Sequence, residues 1–271
     1  MKYVLENPSE CERLEKQSQQ ASFDFKKELH DFTASPGEMI LDAGCGPGTV
    51  LRHLAVKYPS TEFHGCDAEP SRIQFAKEQA SGIQNLEFNV EDIRDLRYAD
   101  SRFHQILCRY VIEHLSVNDR MSAFQEFFRC LLPGGKLTII DVDGFLFNLY
   151  PRTPAIDHLL KKLEASAKID LFIGRKLPHL LTQCGFENVN WEIQTVQFTG
   201  DHLANEIEML NQRLDHATPF LLSLVNGVSW KVEEFRQDYI RVLNEPGTVL
   251  FNNMFIATAK KTHSGRLRLI K

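Results

Sequence analysis

The densest chemical signal in the chain is Met39-Ile40-Leu41-Asp42-Ala43-Gly44-Cys45-Gly46-Pro47-Gly48, where an apolar strand breaks into glycines at every second position. Without a Cβ, Gly44, Gly46 and Gly48 can take positive φ and let a ligand pack against the main chain. The helix that follows starts near Thr49 and turns its free N–H groups toward the same crevice. Spacing then selects the ligand. A dinucleotide fingerprint reads G-x-G-x-x-G and seats a pyrophosphate, whereas the order here is D-x-G-x-G-x-G. A carboxylate at Asp42, two positions before the first glycine, suits an ammonium or a sulfonium better than a phosphate.

This segment resembles the cofactor loop of the class I S-adenosylmethionine-dependent methyltransferases, in their small-molecule branch (methyltransferase type 11/25/31-like). The resemblance implies S-adenosyl-L-methionine as cofactor, with Asp42, Gly44 and Gly46 around its methionine part. A second carboxylate is then expected at the end of the next strand, roughly 20 residues on, to accept hydrogen bonds from the ribose hydroxyls. Asp67 ends the strand Glu62-Phe63-His64-Gly65-Cys66-Asp67, with Ala68 beside it. Val90-Glu91-Asp92-Ile93 is similar to the family segment whose Asp takes the adenine amino group, which assigns that role to Asp92 and the ring nitrogen to the N–H of Ile93.

The run from Phe103 to Leu115 resembles the fourth strand and the E-H-L loop after it, although His104 stands where Asp is usual. It implies that Cys108 and Arg109, at the strand end, offer backbone carbonyls to the cofactor's amino group. Leu131 to Asp141, with Pro133-Gly134-Gly135, resembles the helix end, turn and fifth strand that come next in the family. Glu10-Cys11-Glu12-Arg13-Leu14-Glu15-Lys16-Gln17 is similar to the E-x-x-R-L-x-x-Q of one small-molecule branch, where Arg13 and Gln17 lie over the cofactor and reach its carboxylate. They are four apart on one helical face, and a solvated face with i,i+4 charge pairs is the plainer reading of the same residues.

Methyl transfer from a sulfonium is an in-line displacement with a good leaving group, so alignment in a desolvated pocket carries much of the acceleration. A base is needed only where the acceptor must lose a proton. Two candidates are His114 and Asp143. Histidine, with an unperturbed pKa near 6.5, suits proton removal at neutral pH, while a structural hydrogen bond at a helix start competes for His114. Asp143 follows the fifth strand and can orient a hydroxyl or amine or cap its own loop.

Alternating strands and helices from Met39 to Asp141 predict an α/β, Rossmann-like, doubly wound seven-stranded sheet with an antiparallel last strand and helical cap insertions. Residues 1–35 read as an N-terminal helical lid, 36–143 as the cofactor-binding core, and 144–184 as a cap insertion with a helix from Ala155 to Lys168. Residues 185–199 and 250–260 read as edge strands. Between them, 200–249 carry apolar residues at helical spacing: Phe198, Leu203, Ile207, Leu210 and Leu214, then a second segment from Phe220 to Leu243. Such a pair can cap the crevice, form a homodimer surface, or simply pack on the core edge. Aromatics in Gly144–Pro151 suggest an apolar or aromatic acceptor. Residues 261–271 form a basic tail, expected to be disordered.

At 271 residues the chain can bury a sizeable core. A net charge of −5 gives no general electrostatic reason to bind nucleic acid. No apolar run approaches the ~20 residues that span a bilayer, and Met1–Asn7 lacks a signal-peptide core, so the expected location is cytoplasmic, without membrane. Six cysteines show no C-x-x-C and no metal-ligand spacing, which implies neither disulfides nor a metal. The expected partner is a small-molecule methyl acceptor. An S-adenosylmethionine-binding regulator or pseudoenzyme without transferase activity is the main rival, and a nicotinamide-dependent dehydrogenase has the wrong glycine spacing.

Overall fold

A computed structural model describes residues 9–166 and 168–262. Among them eight strands form one sheet: β1 (Met39–Ala43), β2 (Glu62–Asp67), β3 (Leu86–Val90), β4 (Phe103–Arg109), β5 (Leu131–Val142), β6 (Leu149–Tyr150), β7 (Glu187–Gln197) and β8 (Val249–Lys260). The order is β3-β2-β1-β4-β5-β8-β6, with β7 on the other edge of β8. β1 to β5 pair in parallel, and β8 runs antiparallel to both β5 and β7. This is the expected Rossmann-like α/β sheet with its antiparallel last strand, extended by the two-residue β6.

The parallel strands are buried on both faces because side chains alternate across the pleat. In β4, Ile106 and Cys108 join the core under α5 (Val117–Cys130) and α7 (Leu177–Gln183), while Leu107 joins the core under α3 (Thr49–Lys57) and α4 (Pro70–Gln79). Ser116 caps α5 by accepting from the N–H of Asp119 at 3.2 Å. His104, the departure from the family pattern, accepts from the N–H of Met39 at 3.0 Å and so helps to dock β1 on β4.

Several boundaries differ from expectation. Pro133-Gly134-Gly135 lies within β5 as an irregularity, not before it: Leu131 already pairs with Phe103, and the register shifts before Gln105 meets Lys136. The cap helix α6 (Pro154–Glu164) ends short of Lys168. The inserted helices are α8 (Gly200–Leu224) and α9 (Ser229–Leu243). The break falls after Leu224 because Asn226 and Gly227 both take positive φ and the N–H of Gly227 returns to the carbonyl of Leu222 at 2.8 Å. Lys261 and Thr262, assigned to the tail, are buried; the Lys261 ammonium donates to the carbonyl of Leu131 at 2.7 Å. Residues 263–271 and Met1–Asn7 lie outside the described residues.

α6, α8 and α9 share an apolar cluster with the loop after β5. At the other end of the chain, α1 (Glu10–Gln17) and α2 (Phe25–Glu28) lie over the carboxyl ends of the strands. Leu14 on α1 is the nearest side chain to the Cβ position of Gly46, at 3.8 Å.

Gly48 sits at φ +77°, and a Cβ there would come within 2.5 Å of the Phe88 ring. Gly48→Ala should therefore lower the unfolding free energy by about 1–3 kcal/mol, read as a fall in the urea midpoint at unchanged slope.

Candidate functional site

A cavity of about 240 Å³ opens at the carboxyl ends of β1 to β4, where the strand-to-helix loops diverge. The glycine loop supplies its floor. The N–H groups of Gly44 and Cys45 both donate to the carbonyl of Cys66 at 2.8 Å, and that of Gly46 donates to Asp67 Oδ2 at 3.0 Å, so the loop is stitched to the end of β2. Gly44 takes φ +85°, and a Cβ would collide with Val111 at 2.4 Å. Its missing side chain thus leaves room for Val111 of the loop after β4, while its main chain still lines the cavity.

Of the expected residues, Asp42, Gly44, Gly46, Asp67 and Ala68 line this cavity from β1, β2 and their loops. Asp92 and Ile93 line it after β3, Arg109 and His114 after β4, and Gln17 from α1. The buried Asp42 carboxyl is pushed up to about 7: burial raises it, Arg109 partly offsets this, and the Asp67 charge adds to it. Asp67 also accepts from the N–H of Glu69 at 3.0 Å, with Arg72 at 3.5 Å. Asp92 is gripped by Arg94 (Nε to Oδ1, 2.9 Å), and that hydrogen bond holds its carboxyl below the usual range.

Three expected residues have side chains that stand elsewhere, although Cys108 was expected to act through its backbone carbonyl. Arg13 turns away from this cavity, its guanidinium held by Glu10 (Nε to Oε2, 2.8 Å) and Gln17 (Nη1 to Oε1, 2.5 Å). The Cys108 side chain packs into the core beneath the crevice, and burial pushes its thiol well up. Asp143 is buried and bound by the fork of Arg175, with Nε to Oδ1 and Nη2 to Oδ2 both at 2.8 Å; it lines neither this cavity nor the next one.

A second cavity, of about 120 Å³, adjoins the first and shares Gln17, Phe23 and His114 with it. Its lining is largely apolar, drawn from Phe145 and Leu146 after β5, Leu163 of α6, and Leu210, Leu214 and Phe220 of α8. Arg13, Arg213 and Glu113 also border it. His114 sits on the shared wall, its Nε2 3.3 Å from Glu113 Oε1. Sequence reasoning missed Phe23, Glu28 and Arg213. Glu28, buried on α2, accepts from both Arg109 and Tyr110 and so fixes the roof of the first cavity. Only Arg213 left a trace: it lies seven residues after Glu206, on the leucine-bearing face of α8.

Residues 40–135 match the family model described as a methyltransferase domain. Phosphoethanolamine N-methyltransferase 1 of Zea mays is 38% identical over 174 residues, 64% of this chain and 33% of its own. Phosphoethanolamine N-methyltransferase of Plasmodium falciparum is 29% identical over 164 residues, 60% of this chain and 59% of its own. The chain thus spans about a third of the length of the plant relatives that it matches. Among solved structures, Haemonchus contortus phosphoethanolamine N-methyltransferase 2, in complex with phosphomonomethylethanolamine and S-adenosylhomocysteine, superposes with a TM-score of 0.62 at 17% identity, over 96% of this chain and 60% of that one. A SAM-dependent methyltransferase from Aquifex aeolicus gives 0.57 at 16%, over 95% of this chain and 100% of that one. Residues 40–135 thus form a methyltransferase domain.

The raised Asp42 carboxyl makes the ligand-free protein sensitive to pH. The folded state keeps a proton that the unfolded chain releases above 3.8, so this contribution to stability is present below about 4 and is lost as pH rises toward about 7. Asp42→Asn removes the titrating group. Its melting temperature should exceed that of the parent at pH 8, and the gain should shrink toward pH 4.

Proposed function

We propose that this class I S-adenosylmethionine-dependent methyltransferase holds its cofactor in the larger cavity and methylates a small, largely apolar or aromatic molecule seated in the smaller one. The observation that carries this reading is the wall common to both cavities. Gln17, Phe23 and His114 border each of them, so a donor and an acceptor can meet across a few ångströms without entering water.

The larger cavity fits the cofactor's chemistry. A buried carboxylate at Asp42 with incomplete compensation favours a cation, as an ammonium or a sulfonium supplies. Asp67 retains capacity for ribose hydroxyls, since a carboxylate has about four lone-pair sites and three are engaged. Ile93 gives an apolar flank for the adenine, and Asp92, shared with Arg94, borders its amino group. Gln17, tethered by Arg13, stands over the methionine part. When bound, S-adenosylmethionine supplies an electrophilic methyl on a good leaving group.

The chain's own share is positioning and drying. Phe23, Phe145 and Leu146 exclude water, which strengthens each electrostatic contact inside. His114 faces the boundary and can take a proton from a hydroxyl or amine acceptor. Asp143, tied to Arg175 away from both cavities, has no role in this reading. The relatives named phosphoethanolamine N-methyltransferases support a small-molecule acceptor, while the apolar lining favours a less polar one than phosphoethanolamine.

Isothermal titration with S-adenosylmethionine, S-adenosylhomocysteine and NADH tests the cofactor assignment: micromolar binding of the first two alone is expected, and NADH binding instead would sink it. Asp67→Ala should weaken S-adenosylmethionine binding by about 2 kcal/mol, roughly 30-fold. A cation beside Asp42 lowers its carboxyl from about 7, so binding at pH 7 should release a fraction of a proton. Titrations in buffers of different ionisation enthalpy read this directly.

A further inference from the structure

Glu113 is a carboxylate left without a matching cation at the wall of an apolar cavity. It lies in the 3-10 turn Ile112–His114, after β4, and its main chain is fixed on both sides. Its N–H donates to Asp141 Oδ2 at 3.2 Å, and its carbonyl accepts from the N–H of Asp170 at 2.8 Å. The side chain is 9% exposed and borders the smaller cavity but not the larger. It forms no ion pair with a lysine or arginine among the described residues; its contact is with His114, whose Nε2 stands 3.3 Å from Oε1. The other oxygen, Oε2, takes no hydrogen bond there and is not among the polar atoms sealed from solvent, so it opens on the cavity.

The other charges around this cavity are matched. Arg13 is held by Glu10 and Arg213 by Glu206. Asp141, fully buried next to Glu113, keeps its proton: burial pushes its carboxyl well up and the Glu113 charge adds to this, which two backbone N–H groups and Arg120 offset only in part. With His114 neutral, as a base must be, these groups sum to one negative charge, and an uncompensated carboxylate this deep is costly. An ammonium arriving with the ligand removes that cost, and the leucine and phenylalanine lining takes the rest of the ligand as an apolar body. A phosphate finds no such match, since both guanidinium groups are committed to carboxylates. We infer that the methyl acceptor is a primary or secondary amine on an apolar body and that Glu113 receives its ammonium at the wall of the second cavity. The inference rests on reading that cavity as the acceptor site, and it names the class of acceptor and the residue that recognises it. The transfer balances. The ammonium gives one proton to His114, the freed lone pair forms the C–N bond to the methyl carbon, and the C–S bond breaks with its electron pair left on sulfur. The nitrogen is cationic again in the product, so Glu113 is matched before and after, and His114 returns its proton to solvent.

The probes are 4-phenylbutylamine and 4-phenylbutanol, which share a body and differ in charge, titrated into the full chain with and without saturating S-adenosylhomocysteine. Saturation fills the larger cavity, so its carboxylates cannot answer for the amine. Phosphoethanolamine is the third arm. The wild type should bind the amine at least roughly tenfold more tightly than the alcohol, as a charge-assisted hydrogen bond gives. Glu113→Gln keeps the shape and removes the charge, and it should bind both probes equally while keeping the wild-type affinity for S-adenosylhomocysteine. Equal binding of amine and alcohol by the wild type overturns the inference, and that comparison needs no variant. So does failure of both to bind, tighter binding of phosphoethanolamine, or survival of the preference in Glu113→Gln. If the amine preference holds and depends on Glu113 while S-adenosylhomocysteine does not bind, the amine site stands and the methyl-transfer reading falls.

Discussion

The carboxylate of Glu28 holds the two halves of the site together. It is buried on α2 and accepts from Arg109 and Tyr110, which end β4 and begin the loop after it. Burial alone would disfavour the Arg109 charge, and Glu28, with Tyr110 and Asp42 adding to it, outweighs that effect and keeps the guanidinium protonated. Because both partners are out of water, neither can be left alone at small cost, so the N-terminal segment cannot drift from the sheet. Phe23 packs edge-on against Tyr110, with ring centroids 4.9 Å apart, and follows the same anchor. Leu14, Gln17 and Phe23 thus become the roof of a crevice whose floor is the glycine loop.

With the roof fixed, the interior divides by chemistry. Carboxylates at Asp42, Asp67 and Asp92 gather around the larger cavity, while the smaller one is largely apolar, its Arg13 and Arg213 each paired with a carboxylate, Glu10 and Glu206. Gln17 belongs to both sides. It faces the larger cavity, and its amide oxygen accepts from Arg13, so occupancy of one compartment is mechanically adjacent to the other.

The core was legible because its signals are local. Strand, glycine turn and terminal carboxylate fall within a few residues of each other at Asp42 and at Asp67, and both side chains line the crevice. Backbone spacing could not reveal where a long side chain turns. Arg13 shares a helical face with Gln17, yet it points to the second cavity because Glu10 claims its guanidinium. Asp143 lies at the carboxyl end of β5 as read, and Arg175, thirty-two positions later, decides its direction. Glu28 was illegible for the same reason: nothing near it in the chain announces Arg109. The inserted helices were visible as a periodic apolar stripe, but their break at Asn226-Gly227 depended on a turn, which periodicity does not register.

The inserted helices leave and rejoin the sheet at one point. β7 ends at Gln197 and β8 begins at Val249, and the N–H of Phe198 donates to the carbonyl of Leu250 at 3.1 Å. The closure of this long excursion is therefore secured by the β7–β8 ladder and costs the sheet little more than a short hairpin would, since the entropy of closing a loop grows only slowly with its length. It makes α8 and α9 a single continuous stretch whose ends meet on the sheet, so the share of the smaller cavity that Leu210, Leu214 and Phe220 line can change in size and shape while the register of β7 on β8 stays as it is.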